Sequence, residues 1–423
     1  MLFVLTAAPR LARAESTLAV AAREVAHEVG AVPPKALVVA SPHTVVAPRG
    51  DELASRVASL VASALGGDAR STDAPLLLAP ARVRAGAVKA GVLVYLDVRV
   101  ESGELRVTAD AYPVIPNGWD RVRSAPPPPS AHAYVRALVS AEVRSYLPPI
   151  RIELAHLTKV HQDVGPILAM ACGDLDGDGA NDLVLVTRHA VVLGYLDAGH
   201  FVVVRRALAP SIGRRAPVPF REPLATAVIA PEATSGALYV AWGDRTGALL
   251  GPDLAPRGAL AGLPVAAGNG VGCVLPDAGR GGFADALVGC MDGKPLASWT
   301  FHVPLLADAW TALELETGTR LVAAREPSGA LHLSLGRDSL VVNDVGAQVA
   351  LVDLDQDGSP EVVTTVARGE DALVVSSLQK GALAQRLKWP APAGIDAVAV
   401  CPPQENNAPS FVAAVGSEIW HVD

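Results

Sequence analysis

The sequence predicts an α+β protein of two domains, a small α/β sandwich followed by an all-β propeller of six to seven blades. Three observations carry this prediction. The first 150 residues mix helical and strand periodicities, the remainder consists of short apolar strands separated by Gly, Pro and Asp, and an aspartate-rich loop recurs in that remainder. A chain of 423 residues can hold two or three domains with a large core. We expect domains at 15–147 and 150–423.

Composition narrows the functional classes. Half of the residues are hydrophobic, yet no apolar run approaches the roughly 18 residues that cross a bilayer, so we expect no transmembrane segment. The formal net charge is −8 and the sequence has no basic cluster. This argues against nucleic acid and against an anionic membrane surface as partners, because both attract concentrated Lys and Arg.

The first fourteen residues, MLFVLTAAPRLARA, combine an apolar stretch with the small-x-small tripeptide Ala12-Arg13-Ala14, directly before Glu15. This pattern is typical of the end of a secretory signal. We therefore expect residues 1–14 to be a signal-peptide remnant and the protein to be exported to the periplasm or the cell surface. The segment is short and lacks a basic beginning, which leaves open a start further upstream or a frayed terminus.

Residues 15–147 predict alternating helices and strands. STLAVAAREVAHEVG and DELASRVASLVASALGG have helical periodicity, and ALVVAS is a buried strand. PLLLAPARV is interpreted as a further strand, and GVLVYLDVRVESGELRVTADAYPV as a hairpin. After the prolines at Pro126–Pro129, SAHAYVRALVSAEVRSYL is expected to form a third helix. This order predicts an α/β sandwich.

The succession of a VVA strand, an LASRVASLVASAL helix and a GELRVTADAY strand resembles the small α/β domain at the beginning of Tol-system and curli-secretion periplasmic proteins. The resemblance rests on this pattern and not on a chemical motif. It implies the same small α/β fold for the first domain.

An internal repeat begins at residue 150. Loops that are rich in Asp, or related to such loops, each precede a short apolar strand, and the strands are anchored at Leu183, Leu238, Ala286, Leu331, Val362 and Phe411. The anchors lie 55, 48, 45, 31 and 49 residues apart. Apart from the interval of 31, this spacing fits a four-stranded propeller blade. We expect IRIELAH at 150–156 and the terminal EIWHVD to close the ring.

Two of the six copies, DLDGDGANDLVLV at 174–186 and DLDQDGSPEVVTT at 353–365, are complete. They resemble the FG-GAP or VCBS repeats of integrin-like β-propellers, in which a DxDxDGxxD loop joins two strands of each blade. The Phe-Gly and Gly-Ala-Pro signatures of that family are absent, so the number of blades stays at six or seven. The resemblance implies a propeller over 150–423.

The two complete loops predict two Ca²⁺ sites. Carboxylates crowded onto one point repel each other unless a cation lies among them. Oxygen ligands at alternating positions, with Gly at the turn, favour Ca²⁺ over a metal that prefers nitrogen or sulfur. Ligand positions 1, 3, 5, 7 and 9 are Asp174, Asp176, Asp178, the Ala180 carbonyl and Asp182 in one loop, and Asp353, Asp355, Asp357, the Ser359 carbonyl and Glu361 in the other.

The two loops have two other interpretations. An EF-hand is excluded, because position 12 is Leu185 or Thr364 where that motif needs Glu, and strands rather than helices flank the loops. The alternative is an Asp- and Gly-rich turn without an ion, since both residues favour turns by themselves. In the third copy only Asp277 and Asp285 survive, so we expect no tight ion there.

The four cysteines leave two possibilities open, two disulfides or four buried thiols. Folding the third repeat as a hairpin places Cys273 opposite Cys290, within the distance that a disulfide requires. Cys172 and Cys401 occupy similar places in the first and last repeats, which are neighbours in a closed ring. The positions therefore predict the pairs Cys273–Cys290 and Cys172–Cys401.

The sequence contains no HExxH, GxSxG or Walker motif. GNGVG at 268–272 lacks a strand-to-helix context and is interpreted as a loop between blades, and the tryptophans are expected in the core. We predict a non-catalytic Ca²⁺-binding protein, a binding or scaffold protein with an unidentified protein or glycan partner, and a monomer. The alternative is a polysaccharide hydrolase or lyase with acid and base groups in the propeller funnel.

Overall fold

The computed structural model describes residues 16–30, 35–42, 49–101, 103–115, 117, 119, 123–211, 224–231, 236–243, 245–268, 270–277, 282–300, 307–315, 318–336, 338–379, 381–404 and 408–423. The chain divides into two compact units, with the boundary between Pro148 and Pro149. The predicted signal-peptide remnant at 1–14 lies outside the described residues. Among the helices that are described, none is both long enough and apolar enough to span a membrane.

The first unit is built on a five-stranded sheet with the order β2-β1-β3-β4-β5. In this sheet β1 is parallel to β2 and β3, whereas β3, β4 and β5 are antiparallel. The elements are α1 (Thr17–Val29), β1 (Ala36–Ala40), α2 (Gly50–Leu65), β2 (Arg70–Ser71), α3 (Leu78–Ala87), β3 (Val92–Glu101), β4 (Glu104–Pro113), β5 (Ala131–Leu138) and α4 (Ala141–Arg144).

Helices cover both faces of this sheet. On one face, Leu18 of α1 and Leu53 of α2 pack in a core that contains Val94 of β3, and all three side chains are fully buried. On the other face, Ala81 of α3 packs in a smaller cluster with Leu93. Side chains of a strand alternate between faces, so the neighbours Leu93 and Val94 belong to different layers. The buried leucines contribute about 1.5–3 kcal/mol each.

Two element predictions for the first unit are wrong. PLLLAPARV contains the start of helix α3, because Ala81 and Ala85 lie one turn apart and together cover the sheet. SAHAYVRALVSAEVRSYL forms strand β5 and the short α4 instead of one helix. Its residues Ala133 and Val135 alternate with exposed neighbours and pair with β4, so the period of two prevails over helix propensity.

The second unit is a β-propeller of six blades in the described residues. Its strands are β6 (Leu157–His161); β7 (Ile167–Gly173), β8 (Asp182–Thr187), β9 (Ala190–Asp197) and β10 (His200–Leu208) in blade 1; β11 (Ala225–Pro231), β12 (Gly236–Trp242), β13 (Arg245–Leu250) and β14 (Pro256–Ala259) in blade 2; β15 (Leu263–Ala267), β16 (Gly270–Asp277), β17 (Gly282–Val288) and β18 (Pro295–Thr300) in blade 3; β19 (Ala309–Glu314), β20 (Arg320–Arg325), β21 (Leu331–Leu335) and β22 (Asp338–Val342) in blade 4; β23 (Val345–Val352), β24 (Glu361–Val366), β25 (Ala372–Gln379) and β26 (Ala382–Pro390) in blade 5; and β27 (Ala397–Cys401), β28 (Ser410–Val415) and β29 (Glu418–Val422) in blade 6.

The first strands of the blades close the ring. Strands β7, β11, β15, β19, β23 and β27 contact one another in this order, and β27 contacts β7. The fourth strand of blade 6 is β6, which pairs antiparallel with β29. The predicted propeller is therefore confirmed, and so is the participation of the terminal EIWHVD in its closure.

The closing strand at the beginning of the unit lies later than predicted. Residues Ile152–Leu154 form a 3₁₀ turn, and pairing starts where His156 exchanges backbone hydrogen bonds with Asp423. Ile152 is buried in the apolar layer that also contains Phe411 of blade 6. Because this side chain is held in the core, IRIELAH bends before the strand begins.

The repeat anchors fall on two kinds of strand. Leu183, Leu238, Val362 and Phe411 lie in the second strands of their blades, whereas Ala286 and Leu331 lie in the third strands β17 and β21. The predicted anchors of blades 3 and 4 are therefore one strand too late, which accounts for the short interval of 31 residues. Of GNGVG, which is predicted to lie between blades, Gly270–Gly272 lie in β16, inside blade 3.

Both predicted disulfides are confirmed. Cys172–Cys401 joins β7 to β27, with 4.8 Å between the Cα atoms, and therefore links the first blade to the last. Cys273–Cys290 lies within blade 3, with a Cα–Cα distance of 4.9 Å. Trp242, Trp310 and Trp420 are buried, as expected for tryptophans in the core.

Candidate metal centres

The two complete acidic loops connect the first and second strands of their blades. Loop 1 (Asp174–Asp182) joins β7 to β8, and loop 2 (Asp353–Glu361) joins β23 to β24. The strand register pairs the residue before each loop with the ninth loop residue, Gly173 with Asp182 and Val352 with Glu361. The sheet therefore brings the beginning and the end of each loop together.

Each loop is fixed to the next blade by the leucine at its second position. Leu175 of loop 1 is fully buried in the layer that contains Leu238 of blade 2. Leu354 of loop 2 is buried in the layer that contains Phe411 of blade 6. The alternation of acidic and apolar residues thus turns the leucine inward and leaves the flanking carboxylates at the loop tip.

Loop 1 gathers three of its four acids. Carboxylate oxygens of Asp174, Asp176 and Asp182 all lie within 4.8 Å of one another. The amides of Gly177 and Gly179 donate hydrogen bonds of 2.7 and 3.0 Å to Asp174, which fixes this carboxylate in the turn.

Loop 2 repeats this arrangement with Asp353, Asp355 and Glu361, whose carboxylate oxygens also lie within 4.8 Å of one another. The Leu354 amide donates a 2.9 Å hydrogen bond to Glu361 Oε2. The Gly358 amide donates a 3.0 Å hydrogen bond to Asp353 Oδ2. Backbone donors therefore hold the same positions in both loops.

The acid at the fifth position is outside the group in each loop. Asp178 Oδ1 accepts a 2.7 Å hydrogen bond from the amide of Ala180. Asp357 Oδ1 accepts a 2.6 Å hydrogen bond from the amide of Ser359. Of the ten predicted ligands, the structure thus brings six carboxylates together. The side chains of Asp277 and Asp285, for which no tight ion is predicted, lie outside the described residues.

The acids of loop 2 lie in a more buried environment. Glu361 is only 1% exposed, and burial, with smaller effects of Asp355 and Asp353, raises its pKa to about 8. Burial also raises the pKa of Asp353, to about 6. It raises the pKa of Asp355 as well. In loop 1, burial raises the pKa of Asp182. These directions show that the three grouped acids of loop 2, and Asp182 in loop 1, disfavour the ionised form, which a bound cation would stabilise.

The donor set suits one class of ion. All grouped side chains offer oxygen, and the carboxylates are arranged around one point by a short loop with left-handed glycines at Gly179 and Gly358. Hard oxygen donors in a flexible loop fit Ca²⁺, whereas Zn²⁺ takes nitrogen and sulfur ligands more readily. The residues present therefore fit a Ca²⁺ ion at either loop.

Sequence reasoning missed three polar residues around the loops. Ser377 Oγ donates a 2.9 Å hydrogen bond to Glu361 Oε1, and Arg386 Nη1 donates one of 3.0 Å to Ser377 Oγ. In loop 1, Asn181 Nδ2 donates a 3.0 Å hydrogen bond to the carbonyl of Pro402 in blade 6. No local pattern identifies these contacts, because each depends on the register of a strand or hairpin elsewhere in the propeller.

No protein-family profile matches the chain, and no curated protein is similar in sequence. Solved structures with similar coordinates include the Cps50 (Swd1) β-propeller domain from Myceliophteria thermophila, with 11% identity over 77% of this chain and 94% of that chain and a TM-score of 0.36. AofleA from Arthrobotrys oligospora has 9% identity over 63% of this chain and 85% of its own, with a TM-score of 0.37. TolB from Acinetobacter baumannii has 10% identity over 92% and 93%, with a TM-score of 0.30. Scores this low say nothing of function.

Proposed function

We propose that this chain is a non-catalytic Ca²⁺-binding β-propeller of the FG-GAP/VCBS type that serves as a binding or scaffold protein. The observation that carries the proposal is the pair of carboxylate clusters at equivalent hairpins of blades 1 and 5. Acids that are crowded and partly desolvated in this way cost free energy when ionised, and a divalent cation offsets that cost. Calcium then rigidifies the blades, and exposed loops of the propeller bind the partner.

Export to the periplasm or the cell surface is part of the proposal. Two disulfides, one of them joining the first blade to the last, are favoured in an oxidising compartment. Millimolar calcium, which such loops need when their ligands are partly exposed, is also typical of extracellular modules. The proposed partner is a protein or a glycan. The first unit is proposed to be a small α/β domain of the kind found in Tol-system and curli-secretion proteins.

A calcium titration tests the proposal. We expect the wild-type protein to bind two Ca²⁺ ions in calorimetry and to melt at a higher temperature with calcium than with a chelator. A ten-fold excess of calcium over Kd corresponds to about 1.4 kcal/mol of stabilisation per site. The combined variant Asp176→Ala and Asp355→Ala, which removes a ligand oxygen from each loop, should bind no calcium and melt alike in both conditions.

A matched control carries the same change of charge elsewhere. Asp253 and Asp338 are exposed acids outside both loops. The combined variant Asp253→Ala and Asp338→Ala should keep both ions and the full calcium-dependent stabilisation. Identical melting of the wild type with and without calcium would refute the proposal, and turnover of a polysaccharide in a glycan panel would favour the hydrolase or lyase instead.

A further inference from the structure

A cleft lies beside the outer strand of blade 1, at the place where the ring closes. Its volume is about 230 Å³, and it lies between strand β10 and the turn 161–164 that follows β6. The buried Val192 of β9 also lines it. The cleft therefore borders the outer edge of blade 1 and is remote in the chain from both acidic loops.

The edge of β10 beside this cleft is open. One side of the strand pairs with β9 from His200 to Leu208. On the other side, the described chain pairs with it only where His200 lies opposite His161 of β6. After His161 the chain turns away, and the turn is fixed by the buried Gln162, whose amide donates to two backbone carbonyls. From Phe201 onward, the described chain thus leaves a row of backbone N–H and C=O groups without a neighbouring strand.

A β-bulge turns Arg206 toward the cleft. Val203 pairs with Gly194 of β9, and the next residue, Val204, is the extra residue of the bulge. Arg206 pairs with Val192. Gly194 and Val192 are two residues apart and belong to one face of β9, so their partners Val203 and Arg206 also share a face. Without the bulge, their spacing of three would place them on opposite faces.

The cleft combines an apolar wall with an uncompensated positive charge. Phe201 and Val203 line it, and the Phe201 ring lies so close to Gly194 that a Cβ there would be 2.7 Å from the ring. Arg206 is exposed and forms no ion pair with an acid of the described chain. The acid among the lining residues, Asp163, is held 2.9 Å from Nε2 of His161. A complementary ligand therefore carries a carboxylate and an aliphatic group.

The outer strands of the other blades are protected against pairing. β14 and β18 begin with Pro256 and Pro295, and β22 has five residues. β26 is as long as β10, but its Arg386 is bonded to Glu153 of the 3₁₀ turn. Proline, short length and a covering segment all protect a sheet edge. β10 has nine residues with Val202–Val204 near its centre, and it contains neither Pro nor Lys.

We infer that the open edge of β10 and the adjoining cleft bind an extended segment of a partner protein, which adds a strand to blade 1. Backbone hydrogen bonds to β10 hold the segment, and its side chains over the cleft supply specificity. A carboxylate of the segment pairs with Arg206, and an aliphatic side chain covers Phe201 and Val203. Since every second residue of a strand lies on one face, the segment has an acidic and an aliphatic residue two positions apart.

The edge itself favours this occupant over two others. A glycan lacks the regular alternation of N–H and C=O groups that a strand edge pairs with. A second copy of β10 has no acidic residue to offer to Arg206. The inference rests on the proposed function only in taking the chain as a binding protein, because neither calcium loop takes part in it.

A designed peptide tests the inference by fluorescence anisotropy with the full chain. The peptide is labelled, acetylated and amidated, with glutamate and valine alternating on one face and threonine on the other. We expect saturable binding, and binding about ten-fold weaker when lysine replaces glutamate. Methylation of every second backbone nitrogen removes the donors from one edge of the peptide. One of the two methylated forms should lose binding and the other should keep it, because only one edge faces β10.

Two arginine variants locate the peptide on the propeller. Arg206→Gln should weaken peptide binding about five-fold, as expected for the loss of an exposed ion pair. The matched control is Arg205→Gln, which removes the same charge from the neighbouring residue of β10. Arg205 pairs with Leu193 and therefore lies on the opposite face of the strand, so its replacement should change the affinity less than two-fold. Amide exchange within β10 should slow when the unmethylated peptide binds.

The outcomes separate this inference from the proposed function. If calcium binds as proposed but the glutamate peptide shows no saturable binding, the inference alone is overturned. If the peptide binds at β10 but calcium neither binds nor stabilises, the calcium function alone fails. Equal weakening by Arg205→Gln and Arg206→Gln would indicate nonspecific charge attraction and would overturn the inference. So would an acidic glycan that binds in place of the peptide, or a dimer in sedimentation that Val204→Lys dissociates.

Discussion

Loops 1 and 2 share a motif and a place in the blade, yet they differ in what surrounds them. At the third position Asp176 is exposed, whereas Asp355 is 9% exposed. At the ninth position Asp182 is partly exposed, whereas Glu361 is buried and bonded to Ser377. The ligand pattern is therefore a property of the loop, and the depth of the site is a property of the blade that carries it.

The two loops also have different neighbours. Loop 1 contacts the blades on both sides, since Asn181 donates to Pro402 of blade 6 and the Leu175 carbonyl accepts from Gly236 of blade 2. Loop 2 connects through Ser377 and Arg386 to Glu153, in the 3₁₀ turn before β6. Loop 1 therefore lies at the seam between the first and last blades, whereas loop 2 lies at one end of a hydrogen-bonded chain that ends at Glu153.

The largest difference between the loops should be their contribution to the pH dependence of stability in calcium-free protein. Burial raises the pKa of Glu361 to about 8 from an ordinary value of 4.5, so the folded protein holds this proton more tightly than the unfolded chain does. The contribution of protonated Glu361 to the free energy of unfolding is complete below pH 4.5 and is lost as the pH rises through 8. In a chelator, we expect the free energy of unfolding to fall on the order of 4 kcal/mol between pH 5 and pH 9.

Variants at the ninth loop position show which residue causes this loss of stability. Glu361→Gln should remove most of the pH dependence, because a neutral side chain has no proton to lose. Asp182→Asn in loop 1 should remove much less of it, since Asp182 is less buried. With excess calcium the slope should reverse, because protons and Ca²⁺ compete for the same oxygens. Chemical denaturation across this pH range measures all three, and a flat profile for the calcium-free wild type would contradict the comparison.

The next largest effect concerns the disulfide at the seam between the first and last blades. Cys172 lies two residues before loop 1, whereas the same position before loop 2 holds the buried Leu351. Replacing Cys172 and Cys401 by Ser opens a crosslink that spans 229 residues, and replacing Cys273 and Cys290 opens one of 17. Chain entropy makes the first loss about 2 kcal/mol larger than the second. Guanidinium denaturation of both double variants checks this difference.

The same variants distinguish the loops. Loss of Cys172–Cys401 should weaken calcium binding at loop 1, because the strand that begins the loop is no longer tied to β27. Binding at loop 2 should be unchanged. Calorimetry in backgrounds that keep one site, Asp355→Ala for loop 1 and Asp176→Ala for loop 2, separates the two affinities. Equal weakening at both sites would mean that the disulfide stabilises the ring as a whole.

The sequence predicted what depends on local pattern. The acidic loops, the hairpin of β3 and β4 and the cysteine pairs follow from spacing along the chain, and the structure agrees with them. The repeat also predicted the propeller, because blades of four strands recur at a regular interval. Six of the ten predicted ligands lie together for the same local reason.

The wrong predictions concern elements whose structure depends on pairing with residues that are distant in the sequence. β5 has a helical composition and becomes a strand because β4 offers it a register. The anchors Ala286 and Leu331 lie one strand late, because their turns resemble acidic loops but occupy another connection of the blade. Arg386 is the extra residue of a β-bulge in β26, between Gln385 and Leu387, and no pattern in the sequence marks this bulge.

The smallest difference between the loops is at their fourth position. Gly177 and Gln356 both have left-handed backbone, with φ of 84° and 55°. Glycine adopts this conformation freely, whereas a side chain costs about 1 kcal/mol. We expect Gly177→Gln to destabilise the protein by about 1 kcal/mol and Gln356→Gly to stabilise it by a similar amount or slightly less, because glycine also gains entropy in the unfolded chain. Gly177→Asn, which tolerates this conformation, should cost less than Gly177→Gln. Denaturation with calcium present measures all three, and a loss of stability in Gln356→Gly would show that the Gln356 side chain makes contacts that outweigh its backbone cost.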